Sequence, residues 1–246
     1  MAAREAHDEL PSTQDRAVAL ARAGAPEGTR VVARRQTHGR GRLDHSWVSP
    51  TGGLYLSIVL PAHGPAAPML SLALAARILD AFHQRHGVPV GLKWPNDLLV
   101  VVAGRPPRKL GGILVDRVVA SGGAAVAVAG IGINVTLPRG AVPAELAGHV
   151  ASLGEFVGPS PDLVALEEEV AALALEAAHA LGSPEGTAAA LRRCRELLYG
   201  VGLWASVDHG LRGRIAGLAD DGALWLATGT DRVAIRAGDL RVEERT

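Results

Sequence analysis

Apolar positions along the chain alternate between helical and strand spacing, and the changes fall at glycines and prolines. Ser12, with Asp15 three residues later in capping-box spacing, opens a helix whose apolar positions run on through Leu20 to Ala23 before Gly24 closes it. Thr29–Ala33 reads as a short strand, and Gly52–Leu60 as a glycine-led strand carrying Tyr, Ile and Val. Leu70, Ala73, Leu74, Ala76 and Ile78 share the apolar side of a helix predicted over 69–86 and ended by Gly87. Strand-like runs follow at 89–94, 98–102, 112–119 and 124–136, and 143–153 reads as irregular chain or a short helix. Ser160-Pro161-Asp162 and Ser183-Pro184-Glu185 are helix starts, predicting helices over 161–181 and 184–198. The three acids at 167–169 are expected on a solvated face of the first of these.

From Gly200 the pattern shortens. Runs at 203–208, 212–218, 223–228 and 232–236 are separated by His209-Gly210, Asp221-Gly222, Gly229 and Gly238-Asp239, the texture of a small β-barrel. The expected organisation is an α+β body over residues 1–199, its first nine residues flexible, followed by an all-β unit over 200–246.

Composition narrows the function classes. The 246 residues suffice for one large domain with a small appendage. Lys+Arg and Asp+Glu each number 25, so the net charge of zero lacks the long-range field of a general nucleic-acid binder. With aromatics at 3%, the core must be built from Ala, Val, Leu and Ile. One cysteine, Cys194, forms no internal disulfide, which points to a reducing compartment and excludes a Cys-rich metal site. MAAREAHDELPSTQ has charges where a signal peptide needs an apolar run, and Ala124–Ile133 is too short to span a bilayer. The expectation is a cytoplasmic protein that binds neither DNA nor membrane.

The basic residues are unevenly divided, with 23 Arg and only two Lys, at 93 and 109. Asn is as scarce, at 96 and 134. All four fall in segments with chemical character. Gly39-Arg40-Gly41-Arg42, ending at Trp47, lies in the most basic window of the chain; glycines between arginines let two guanidinium forks converge on one anion, and Trp47 adds a flat surface for a base. Lys93-Trp94-Pro95-Asn96-Asp97 presents Asn96 and Asp97 from a turn after a strand delivers Lys93. Lys109 stands before Gly111-Gly112, at the expected mouth of a strand. Gly130-Ile131-Gly132-Ile133-Asn134 strips side chains from one face of a strand, so a flat ligand can lie against the sheet. The third glycine and following helix of a dinucleotide fingerprint are missing, as is the Lys-Ser/Thr ending of a P-loop.

In this order, with Ser12-Thr13-Gln14 and Gln36 ahead of them, these motifs resemble the biotin protein ligases, over a span from about residue 10 to the C-terminus. The resemblance implies a class II aminoacyl-tRNA-synthetase-like catalytic domain over 1–199 and an SH3-like barrel over 200–246 that helps present ATP and the carrier. It implies ATP-dependent activation of biotin to biotinyl-5'-AMP, with Mg²⁺, and transfer to a lysine of a biotin carboxyl carrier domain of acetyl-CoA or related carboxylases. Ser12, Thr13, Gln14, Gln36, Gly39, Arg40, Gly41, Arg42, Lys109 and Gly112 would surround biotin. Arg40, Arg42 and Lys109 would hold phosphates, Lys93 would belong to the ATP/adenylate site, Trp47 would stack on adenine, and Asn96 and Asn134 would bond it. Lys109, Arg40, Arg42 and Asp97 would be catalytic, Asp97 acting through Mg²⁺ or as proton acceptor. Two departures stand out: Gln14 replaces the usual Asn, and His45 replaces the third Arg of Gly-Arg-Gly-Arg-x-x-Arg-x-Trp. Lipoate or octanoate ligases are the nearest alternative. A DNA-reading repressor is not expected, because only eleven residues precede Ser12.

Overall fold

The computed structural model describes residues 2–43, 45–62, 67–138, 140–157 and 161–243. A seven-stranded mixed sheet runs β1-β2-β3-β7-β6-β5-β4. Its strands are β1 (Arg4–Leu10), β2 (Arg30–Gln36), β3 (Gly53–Pro61), β4 (Val90–Lys93), β5 (Asp97–Val100), β6 (Arg108–Val119) and β7 (Ala125–Asn134). Only β1 and β2 run parallel; the other neighbours are antiparallel.

The two faces of the sheet are covered differently, and this makes the site. On one face Leu54, Leu56, Ile58 and Leu60 of β3 join the main core with α2 (Ala67–His86), α4 (Leu163–Ala180) and α5 (Pro184–Leu197). On the other face, α1 (Thr13–Arg22) buries Ala17 and Ala21 against Val31, Val59, Val118 and Val128. Burial on both faces is why β3 reads as a nearly unbroken apolar run. Helix α1 covers only part of its face, and beyond it Tyr55 and Ser57 of β3 line a cavity with Gly130 and Gly132 of β7.

Two expectations are corrected at the N-terminal edge. Residues 4–10, expected as flexible chain, form a strand: β1 pairs with β2 from Arg4↔Arg30 to Leu10↔Gln36. As an edge strand exposed along much of its length, β1 has no apolar alternation to announce it. Glu167 is not solvated either; it is 2% exposed and accepts from Arg4 Nε and Nη2 (2.8 and 2.7 Å) and Arg30 Nε (3.0 Å). Two guanidiniums offset the desolvation of one carboxylate and fasten β1 and β2 to α4. Ser160 of the predicted helix start lies outside the described residues, and Asp162 caps α4 by accepting from Val164 N at 2.9 Å.

The C-terminal strands β8 (Trp204–Val207), β9 (Leu211–Leu218), β10 (Leu224–Thr228), β11 (Asp231–Ile235) and β12 (Leu240–Val242) form one antiparallel sheet, ordered β11-β10-β9-β8-β12. This is the small all-β unit expected after Gly200, consistent with an SH3-like domain. Among the described residues no pairing closes its two outer strands into a barrel. Its Ile215, Leu218, Leu224, Leu226 and Leu240 belong to the same hydrophobic cluster as α2 and β3, and buried Trp94 donates Nε1–H to Gly222 O at 3.1 Å. A short helix α3 (Ala144–Ala147) lies between β7 and α4. No helix among the described residues is long and apolar enough to cross a membrane.

Candidate active site

Alternation along the strands sets the uncovered face. Gly112, Leu114 and Asp116 of β6 stand opposite Gly132, Gly130 and Val128 of β7, which in turn place Gly132 and Gly130 opposite Tyr55 and Ser57. Lys109 should point to the other side of β6 from Gly112, three residues away. A bulge corrects the phase: Leu98 pairs with Gly111 and Leu99 with Lys109, so Leu110 is the extra residue. Strand β6 thus begins at Arg108, four residues before the predicted start, and Lys109 lies within it rather than at its mouth.

The polar floor comes from α1, β2 and β3. Ser12 caps α1, accepting from Asp15 N at 3.3 Å, and does not itself line the cavity. Thr13 N and Oγ1 both donate to Gln36 Oε1 (2.8 and 3.1 Å), and Ser57 Oγ donates to Thr13 Oγ1 at 2.9 Å. Gln36 Nε2 donates to Ser49 Oγ at 2.8 Å, which fixes the amide's orientation. Gln14 Nε2 donates to Asp116 Oδ2 (3.1 Å) and Val128 O (3.0 Å), while its buried Oε1 has no hydrogen-bond partner among the described residues. Ser57 and Asp116 went unnoticed in the sequence; the signals were one serine in a largely apolar strand and an Asp-Arg pair interrupting Leu114-Val115 and Val118-Val119.

The described residues of the glycine-rich loop, 39–43 and 45–47, lie across this floor. Trp47 N donates to Gly39 O (2.8 Å) and Gly41 N to His45 O (2.7 Å), closing the loop on itself. The Trp47 ring rests on Gly132, where a Cβ would come within 2.8 Å of its Cε2 and Nε1. The stripped strand face does receive a flat group, and here it is the chain's own indole. Trp47 Nε1 is buried without a partner among the described residues. Arg40 Nη1 is held by Asp15 Oδ1 (2.9 Å) and Asp116 Oδ2 (3.3 Å). Arg42 Nη1 reaches Asn96 Oδ1 (3.4 Å) and Gly238 O (3.5 Å). Burial pulls the Arg42 pKa below its usual value, opposed by the charges of Asp97, Asp239 and Asp208. His45 is exposed and lines the cavity.

Cations gather on Asp97. Lys109 Nζ lies 2.7 Å from Asp97 Oδ1, Lys93 Nζ lies 3.9 Å from Oδ2, and Lys109 Nζ stands 5.2 Å from the centre of the Trp47 ring. Asn96 Nδ2 donates to Ile113 O (2.9 Å), tying the Lys93–Asp97 turn to β6.

Two cavities meet at this cluster. The first, about 200 Å³, holds Thr13, Gln14, Gln36, Ser57 and Asn96; the second, about 370 Å³, holds Asn134, Leu137, His149 and Tyr199. Trp47, Lys93, Asp97 and Lys109 line both. Asn96 and Asn134, expected together, are therefore in different cavities. Asn134 Nδ2 donates to Lys109 O (3.3 Å) and Ala151 O (3.1 Å).

Asp97, expected to act through magnesium or as a proton acceptor, carries Lys109 at 2.7 Å on one oxygen and faces Lys93 at 3.9 Å on the other; among the described residues there is no cluster of three or more His, Cys, Asp or Glu that could hold a metal ion without further ligands.

Residues 8–134 match the biotin/lipoate A/B protein ligase family. Biotin--[acetyl-CoA-carboxylase] ligase of Mycobacterium tuberculosis is 31% identical over 243 residues, covering 93% of this chain and 85% of its own length. Bifunctional ligase/repressor BirA of Bacillus subtilis is 36% identical over 159 residues, 63% of this chain and 47% of that protein, so the match spans about half of that relative. Among solved structures, biotin protein ligase from Aquifex aeolicus in complex with biotin and ATP superposes with a TM-score of 0.82 at 25% identity, covering 100% of both chains.

Proposed function

Since the chain belongs to the biotin/lipoate A/B protein ligase family, we propose that it is an ATP-dependent biotin protein ligase acting on a biotin carboxyl carrier domain. The observation that carries this reading is the shared wall of the two cavities, where Lys109, Lys93, Asp97 and Trp47 face both. A carboxylate held in one cavity and a nucleotide in the other would meet there.

The residues suit the two ligands. The unpartnered Gln14 Oε1 and the Thr13–Gln36–Ser57 chain offer polar groups to the ureido ring of biotin at the deep end of the first cavity. Asn134 and the Trp47 indole offer a polar and a flat contact to the base of ATP in the second. In the first step a biotin carboxylate oxygen attacks the α-phosphorus, the bond to the bridging oxygen breaks, and pyrophosphate leaves with its electron pair. Two anions approach each other, so fixed cations at the meeting point lower the barrier; Lys109 and Lys93 supply them, with Arg42 across the cavity. Asp97 holds Lys109 at 2.7 Å and so positions the ammonium. In the second step the neutral amine of the carrier lysine attacks the biotinyl carbonyl, the C–O bond to AMP breaks, and the amine gives up a proton to the departing AMP phosphate or to solvent. The Gly39–Trp47 loop keeps water from the mixed anhydride until then. Magnesium, carried by ATP phosphates in reactions of this class, enters none of these assignments.

The test is incubation with biotin, ATP and a carrier domain, followed by intact mass. A carrier that gains one biotinyl group, with pyrophosphate released, supports the reading. Equal or better labelling with lipoic or octanoic acid would replace it with the nearest alternative.

A further inference from the structure

Asp116 lies on β6 beyond the residues assigned above to ligand contact, yet it joins three elements. Its Oδ2 accepts from Gln14 Nε2 of α1 (3.1 Å) and from Arg40 Nη1 of the glycine-rich loop (3.3 Å); the same Arg40 nitrogen reaches Asp15 Oδ1 at the start of α1 (2.9 Å). The two acids are anchored differently from the arginine. Asp116 is paired in register with Val128 of β7, and its carboxylate is fixed by an amide that is itself 3% exposed and also bonded to Val128 O. Arg40 is 42% exposed and rides on a loop whose Leu43 and His45 are also exposed. A carboxylate anchored in the sheet and a donor carried on an exposed loop make a latch.

We infer that Asp116 is a positioning residue: through Arg40 it holds the Gly39–Trp47 loop down over the cavity, and so sets how long the activated intermediate is retained. The inference rests on the proposed ligase reading for the word intermediate, but not for the latch. It also accounts for Gln14, which stands where Asn is usual. An Asn amide would end one methylene short, whereas Gln14 reaches across the floor to orient the Asp116 carboxylate. Without ligand, Arg40 lines the cavity while its guanidinium is engaged by Asp15 and Asp116.

The latch is tested on the ligand-free full chain by limited trypsinolysis, following by mass the fragment that ends at Arg42. Asp116→Asn should speed this cut about threefold to fivefold, the scale of one partly exposed ion pair. Asp116→Glu should restore most of the protection, and Gln14→Asn should give an intermediate rate. In an Arg40→Gln background, Asp116→Asn should add nothing. With biotin and ATP present, Asp116→Asn should raise the dissociation rate of the bound intermediate, followed by Trp47 fluorescence, with little change in association. Equal cutting of wild type and Asp116→Asn overturns the latch, as does an Asp116→Asn effect that persists with Arg40→Gln. If Asp116→Asn does not fold, Arg40→Gln alone must accelerate the cut, and failure to do so is decisive. Failure of the ligase reading would show instead as an unlabelled carrier, with the trypsin pattern intact.

Discussion

Lys109 Nζ stands 2.7 Å from Asp97 Oδ1, across an antiparallel pair whose register slips by one residue at Leu110. Without that bulge the lysine would face the helical core, where its charge has no partner. With it, the ammonium sits beside Gly112, in whose place a Cβ would lie 3.5 Å from Lys109 Cε.

Lys109→Ala should abolish adenylate formation, lowering pyrophosphate release roughly 10²–10³-fold, the scale for losing one positioned electrostatic group. The melting temperature should stay close to wild type, because the Lys109 side chain is 35% exposed. Lys109→Arg should also be poor, since a planar fork does not fit a point-charge site. Normal turnover by a folded Lys109→Ala protein removes this residue from the mechanism.

Gly132 and Gly111 separate binding from stability. An added Cβ at Gly132 meets the Trp47 ring at 2.8 Å, whereas one at Gly111 meets the backbone oxygen of Gly132 at 2.5 Å. A ring can swing away and a paired strand cannot. Gly132→Ala should therefore red-shift Trp47 emission and weaken nucleotide binding with little loss of stability. Gly111→Ala should cost about 1–3 kcal/mol in urea unfolding. The reverse ranking would show that Trp47 does not rest on β7.

Truncation after Tyr199 should give a chain that aggregates or melts well below wild type. The reason is the shared core: Leu218, Leu224 and Leu226 pack in one cluster with α2, and Trp94 loses its acceptor Gly222 O. A monodisperse truncated chain with native thermal stability would mean that the C-terminal sheet is held only loosely.

Burial pushes the Cys194 thiol up to about 12, with Asp80 adding to the effect. At pH 8 the folded protein should be inert to a disulfide-exchange reagent, and labelling should track global unfolding in urea. The sign for stability follows. An unfolded cysteine ionises near about 8.5 and the folded one does not, so this group's contribution is intact below that pH and declines as pH rises toward about 12. Rapid labelling of the native protein at pH 8 would contradict the burial.

Much of the molecule was legible in the order of residues, because local physics dictates it. Apolar spacing, Ser12 and Ser183 as caps and the glycine punctuation after Gly200 act within a few residues, and the strands and helices they predict are present. The scarce Lys93, Lys109, Asn96 and Asn134 marked the site because lysine and asparagine had chemistry that the prevailing arginine and alanine lack. Tertiary structure decided what depends on partners distant in sequence. Strand β1 has no periodicity of its own and exists because β2 pairs with it; Glu167 is buried because two arginines more than a hundred residues away meet it. Asp116 gained its neighbours only when α1 and the glycine-rich loop converged on β6, and Asn96 and Asn134 were separated by the wall of Lys109 and Trp47. A bulge of one residue turned Lys109 toward Asp97, and no local pattern carries that information, because register is fixed by the pairing of whole strands.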